Sequence, residues 1–227
     1  MKKLVYASLA FLSVFTLAAC SGHKEEAKVP EANVEQKQAK FDEKLFKEAG
    51  LLPFKSEKQL ELGELDSKNR ATGAHIQLKD SDEPTEKRDS KLTYDPVGWH
   101  NYKFFYGDGK KEAWLMSRGH LIGYQFSGLN DEKRNLVPMT NWLNAGNYSG
   151  TDEHNQSSIL YYENRLDSWL ANHPNYYLDY KVTPIYQNDE LIPRQIGLQY
   201  VGIDENGKLL EIKLGNSKEK VDKYSVT

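Results

Sequence analysis

Ser117-Arg118-Gly119-His120-Leu121-Ile122-Gly123-Tyr124 opens the stretch, Trp114 to Arg165, around which the rest of the chain is organised. The stretch continues through Asn135-Leu136-Val137 and Asn141-Trp142-Leu143-Asn144. It closes on Ile159-Leu160-Tyr161-Tyr162-Glu163-Asn164-Arg165. A histidine, several asparagines and a glutamate recur among apolar residues that would otherwise simply pack. Ser157 to Ala171 has the clearest helical period, with Ile159, Leu166 and Leu170 on one face and Asn172 and Pro174 as stops. Glu163 falls on that same apolar stripe. A carboxylate there is costly unless a metal, an arginine or hydrogen bonds compensate it. An ion pair with Arg118 or another nearby cation is the competing account.

Moving outward, Phe41 to Phe54 carries apolar residues at helical spacing and ends at Gly50 and Pro53. Gln59 to Leu65 and Ala71 to Leu78 alternate as two strands of a hairpin, with turn chemistry at Asp66-Ser67-Lys68-Asn69. Lys79 to Lys91 is a polar loop. Tyr102 to Tyr106 reads as an aromatic strand, and Trp114 to Met116 as a short apolar strand leading into His120. Tyr176 to Tyr186, Ile196 to Ile203 and Leu209 to Leu214 alternate as strands, and a polar tail follows Gly215. Runs of strands with few helices predict an α+β fold on a largely antiparallel sheet flanked by helices.

With 227 residues, 38% hydrophobic and 28% charged, the chain suits one globular domain plus a tail. Its formal charge of −3 gives no global electrostatic case for a polyanionic partner, so any such binding needs cations gathered on one face. The beginning reads as a targeting segment over residues 1–19. Lys2 and Lys3 precede the apolar run Leu4 to Leu17, which is shorter than the ~20 residues of a spanning helix. Leu17-Ala18-Ala19-Cys20 resembles a bacterial lipobox, in which Cys20 is lipidated and anchors an exported protein to the membrane. Cys20 is the single cysteine, so no internal disulfide framework is available. Residues 20–40 are charged, poor in aromatics and read as a flexible tether, leaving 41–227 as the domain with a core at about 58–214.

The central stretch offers an imidazole, amide oxygens and a buried carboxylate, without thiols or paired histidines. Oxygen-rich ligation of this kind favours Mg²⁺ or Mn²⁺ over zinc. His120 can take a proton from water near neutral pH, although a lone histidine after Arg-Gly is more often structural. Residue spacing alone supports metal-assisted hydrolysis as a hypothesis. His23, His75, His100 and His173 carry the bland reading, and His154 beside Asp152 and Glu153 lacks a zinc motif.

At this point the chain resembles the DNA/RNA non-specific endonucleases of the ββα-metal (His-Me finger) class, in particular streptococcal secreted and surface nucleases. The matching segments are Asn69 to Ala74, Pro96 to Trp99, Arg118 to Gln125, Asn135 to Val137, Trp142 to Asn144, Tyr162 to Asn164, Tyr180 to Tyr186 and Ile192 to Arg194. The resemblance implies that His120 is the general base and that Asn144 is the direct ligand of Mg²⁺, with Mn²⁺ as the alternative ion. It implies that Glu163 and Asn135 hold the metal's waters, and that Arg118, and more weakly Arg194, bind phosphate. It further implies DNA as substrate, with RNA left open, and 5′-phosphorylated products. Lys87, Arg88, Lys133 and Arg134 are candidates for a backbone groove, though each is more often plain surface charge. Ser117 departs from the Asp-Arg-Gly-His pattern common in the family. Two rival functions remain: a non-catalytic nucleic-acid-binding lipoprotein built on the nuclease fold, and a lipoprotein binding a small ligand.

Overall fold

Alternation places two kinds of side chain on opposite faces of each strand, and here it builds one large sheet with two differently covered faces. The computed structural model describes residues 42–214 and the backbone of 224–226, all within one compact unit, Lys37–Thr227. The expected targeting segment, Cys20 and the tether lie outside the described residues. Among the described residues no helix is long and apolar enough to cross a membrane.

The first helix, α1 (Glu43–Ala49), starts at an Asp42 cap that accepts from Leu45 N–H and stops at Gly50 in the left-handed region. The strands β1 (Gln59–Leu62) and β2 (Ala74–Leu78) pair as expected, with the turn organised by the Asp66 carboxylate on Lys68 and Arg70 N–H groups. Together with β7 (Tyr177–Ile185), β8 (Gln195–Ile203), β9 (Leu209–Leu210) and β10 (Tyr224–Val226) they form an antiparallel sheet of order β1-β2-β7-β8-β10, with β9 also on β8. The strand β10 falls within what composition marks as a polar tail; pairing with β8 recruits it, and pairing is a tertiary event that composition does not announce.

One face of this sheet carries the main core. Ala74, Ile76, Leu78, Leu178, Tyr180, Val182, Ile196 and Leu198 pack there against Leu166 and Leu170 of the long helix α4 (Ile159–Asn172). The other face holds α1 and the segment after it. Phe46 packs on Tyr177 and Ile203, while Asp179 accepts from Leu52 N–H at 3.1 Å and from the Gln77 amide at 3.0 Å. His75 bonds to the same carboxylate at 2.6 Å, so this buried histidine is structural.

Apart from this sheet there are two separate ribbons. The first pairs β3 (Lys103–Tyr106) with β4 (Lys111–Trp114), and the second pairs β5 (Met116–His120) with β6 (Leu136–Thr140). The apolar segment expected at Trp114 to Met116 is therefore split: Trp114 ends β4 and Met116 begins β5. The charged residues Lys111 and Glu112 hide β4 from a hydropathy reading. Two short helices, α2 (Tyr124–Ser127) and α3 (Asn141–Ala145), follow β5 and β6 respectively. The sequence β5-β6-α3 is a ββα unit set on an antiparallel sheet, which is the α+β architecture expected.

Candidate active site

The β5–β6 ribbon places the central residues by register. His120 ends β5 opposite Leu136, and the pleat puts Arg118 on the same face of the strand. The His120 side chain is buried, and its Nε2–H donates to the main-chain carbonyl of Asn130 at 2.8 Å. A carbonyl can only accept, so the neutral ring carries its proton on Nε2 and keeps the Nδ1 lone pair. Burial holds the His120 pKa below its ordinary value; the Asn130 carbonyl and the Asp131 charge oppose that shift, and Arg88 adds to it.

Asn144 sits on α3, whose start is capped by Thr140 Oγ1 on Leu143 N–H. Gly146 ends the helix with φ at 78°, and a Cβ there would strike the Asp152 carbonyl. The Asn144 carboxamide is half-buried and makes no side-chain hydrogen bond among the described residues. Ser117, at the position where the family pattern commonly has aspartate, donates its hydroxyl to Asn141 Oδ1, and Asn141 Nδ2 donates to the Trp114 carbonyl. Serine here braces β5 against the first residue of the helix that bears Asn144.

Glu163 occupies the buried stripe of α4, as its spacing demands. Its Oε1 accepts from Gly123 N–H at 2.8 Å and its Oε2 from the Gln125 amide at 3.2 Å. Burial pushes this carboxyl up to about 7, against those two hydrogen bonds. A side chain on Gly123 would collide with Glu163 Oε2, so glycine is required for the approach. Among the described residues no cation pairs with Glu163, and the competing ion pair with Arg118 does not form. Arg118 instead bonds Asp95 at 3.0 Å and lies 5.3 Å from the Trp99 ring centroid.

Asn135 and Arg194 each have partners of their own. Asn135 is fully buried, its Oδ1 accepting from Ile122 N–H at 3.0 Å and its Nδ2 donating to the Ile122 carbonyl at 2.9 Å. Its amide clamps the segment after His120. Arg194 is bound through both Nε and Nη2 to Glu190 near the β7–β8 turn, and has no contact with His120, Asn144 or Glu163 among the described residues. Its charge is already answered by a carboxylate.

Arg88 emerges as the better cation. It is exposed, has no ion pair among the described residues, and its charge acts on both His120 and Glu163. The loop that carries it is tied down beside the site: Asp89 N–H donates to Asn130 Oδ1 at 3.1 Å, and Asp131 accepts from Thr93 and Tyr94. In the sequence Arg88 is one of four surface cations of equal standing; only the loop path distinguishes it.

Among the described residues no three His, Cys, Asp or Glu side chains form a metal cage. The donor set that does exist fits a hydrated hard cation: an unengaged amide oxygen on Asn144 and a buried carboxylate, Glu163, held only by neutral donors.

A family model described as DNA/RNA non-specific endonuclease matches residues 54–202. A solved extracellular nuclease is 52% identical, with 78% of this chain and 86% of that chain covered and a TM-score of 0.61. An extracellular endonuclease is 53% identical, with coverage of 78% and 80% and a TM-score of 0.61. NucA from Streptococcus agalactiae, solved with magnesium ion bound, is 22% identical over 69% of this chain and 68% of that one, at a TM-score of 0.51, a likeness of fold alone. A search of curated proteins finds no match. The ββα unit, the placement of its polar residues and the length of the family match together establish that the chain belongs to the DNA/RNA non-specific endonucleases and is a phosphodiester hydrolase.

Proposed function

We propose that this endonuclease is metal-dependent, with Mg²⁺ as the resident ion and Mn²⁺ as a substitute, and that it cuts DNA, and RNA as a second substrate, to 5′-phosphorylated products. The observation that carries the reading is the orientation of His120, with Nε2 committed to Asn130 and Nδ1 left as the base. His120 Nδ1 takes a proton from water as the water oxygen attacks phosphorus, the bond from phosphorus to the 3′-oxygen breaks, and that oxygen takes a proton from solvent water to leave as the 3′-hydroxyl. Asn144 would hold the cation through its amide oxygen, and Glu163 would orient water around it. Bound Mg²⁺ supplies Lewis-acid stabilisation of charge on the phosphoryl oxygens and the leaving oxygen. Arg88 binds phosphate, Arg118 joins it when phosphate takes the place of Asp95 on its guanidinium, and neither reads bases, which suits a non-specific enzyme. Asn135 acts by fixing the chain after His120, and Arg194 is not needed in this scheme.

The amino-terminal sequence and the extracellular naming of the similar nucleases support export, with residues 1–19 removed and lipidated Cys20 tethering the domain through residues 20–40 to the cell surface. Plasmid degradation that proceeds with Mg²⁺ and stops with EDTA is expected, and equal degradation in both would reject metal dependence. Full activity in His120→Ala would remove the proposed base. Retention of Cys20→Ala in the membrane fraction would reject the anchor.

A further inference from the structure

Among the described residues the exposed large aromatic side chains are Tyr102, Phe105, Trp114 and Trp142, and all four lie on the β3–β4 ribbon, its entry or α3. A lone two-stranded ribbon has little stability of its own, so one face has to be covered. Phe104 and Tyr106 provide that cover: their rings lie 4.9 and 5.8 Å from Tyr148, which lies 5.8 Å from Trp142 on α3. The pleat sends Lys103, Phe105, Glu112 and Trp114 to the opposite face. There Phe105 is 66% and Trp114 49% exposed, with Lys103 Nζ 5.3 Å from the Trp114 ring centroid and 3.1 Å from Glu112.

This open face is fastened to the catalytic unit. Leu115 N–H donates to the Tyr102 carbonyl, Asn141 N–H to the Leu115 carbonyl, and the Asn141 amide to the Trp114 carbonyl. Trp114 is thus bonded through its own backbone to the helix that bears Asn144. Exposed aromatic rings on a ribbon bonded to the helix of Asn144, with the Lys103 ammonium over one of them, match the chemistry of a nucleobase next to its phosphate. In a duplex the base faces are stacked inside the helix and out of reach; in a single strand they are open.

We propose that Phe105 and Trp114 form a stacking platform for unpaired nucleobases of single-stranded nucleic acid leaving the catalytic unit. The proposal rests on the nuclease reading above and names the strand form that the site favours.

The test compares binding of oligo-dT with an abasic oligomer of equal length and phosphate count, by fluorescence anisotropy, with the full protein in EDTA. One stacked base contributes roughly 5- to 150-fold in affinity. Wild-type protein is expected to prefer oligo-dT by about that factor, and the double variant Phe105→Leu/Trp114→Leu to lose the preference while keeping apolar bulk. Equal affinity of wild type for the two oligomers would overturn the platform, as would a preference that survives in the variant. Should the double variant fold poorly, Trp114→Phe serves instead: it keeps a ring, so the preference should persist while the oligo-dT quench of tryptophan emission shrinks. An undiminished quench would overturn the proposal, and so would concentration-dependent self-association of wild type that Phe105→Leu abolishes, since the face would then serve a second copy. Cleavage of the oligomer in EDTA would count against metal dependence and not against the platform.

Discussion

The His120 imidazole and the Asn130 main chain are joined at 2.8 Å, and the Asn130 side chain holds the Asp89 N–H at 3.1 Å on its other side. One loop residue therefore sets the tautomer of the base and the path of the loop that brings Arg88 to it. The His120 pKa lies below its ordinary value of 6.5, chiefly through burial. The neutral ring then persists as pH falls past 6.5 and is lost only on passing the lower folded-state value. Titration of the His120 ring by NMR in the metal-free protein should give a midpoint under 6.5, and a midpoint above it would contradict the burial argument. Asn130→Ala keeps the carbonyl but frees Asp89; losing a neutral hydrogen bond of about 1 kcal/mol should raise KM roughly fivefold with a smaller change in kcat.

Asn135 and Asn144 should respond to truncation in opposite ways. Asn135→Ala strands the buried N–H of Ile122 and leaves its carbonyl only the 3.3 Å hydrogen bond from Ser127 Oγ, a cost of about 1–3 kcal/mol, so the denaturation midpoint should fall clearly. Asn144→Ala removes an amide without side-chain partners among the described residues, so stability should change by less than about 0.5 kcal/mol. Its cost should appear in activity instead. Urea unfolding of the two variants, read beside their plasmid-nicking rates, checks the contrast.

Glu163 makes stability depend on pH. Its folded-state pKa is raised from 4.5 to about 7, so the folded state binds the proton more tightly than the unfolded chain. That contribution is fully present below pH 4.5 and is lost as pH rises through about 7. The span is worth roughly 3 kcal/mol at most. Glu83 is also raised to about 7, by burial and then by Asp167 and Asp80, and titrates in the same window. Glu163→Gln in EDTA should therefore flatten part of the loss in Tm between pH 5 and 8. Mg²⁺ should stabilise wild type more at pH 8 than at pH 5, and identical shifts at both pH values would separate Glu163 from the cation.

Arg88 has charge to give and no carboxylate to neutralise it among the described residues. Arg88→Ala should raise KM for DNA and reduce the salt slope of binding by about one phosphate contact. Because Arg88 lowers the His120 pKa, its removal should also move the His120 titration upward. Arg194→Ala, whose guanidinium is occupied by Glu190, should leave the salt slope unchanged. Filter binding across a salt series distinguishes the two.

The sequence by itself determined the class of the chain and its α+β architecture. Period and alternation are local properties, so α4, the β1–β2 hairpin and the long strands β7 and β8 were legible, and so was the improbable place of Glu163 on an apolar stripe. Only the tertiary structure decided what each polar side chain faces. Asn135 and Asn144 are both loop-like asparagines beside an apolar run, yet one is consumed by Ile122 and the other is left open. Arg88 and Arg194 are equally charged, yet one is neutralised by Glu190 and the other stands in the field of His120 and Glu163. Hydrogen bonds and ion pairs between segments far apart in the chain settle such matters, because a polar group's role depends on its partner and the partner is set by folding. The split of Trp114 from Met116, and the aromatic face it exposes, were hidden for the same reason: a charged strand such as β4 exists only because β3 pairs with it.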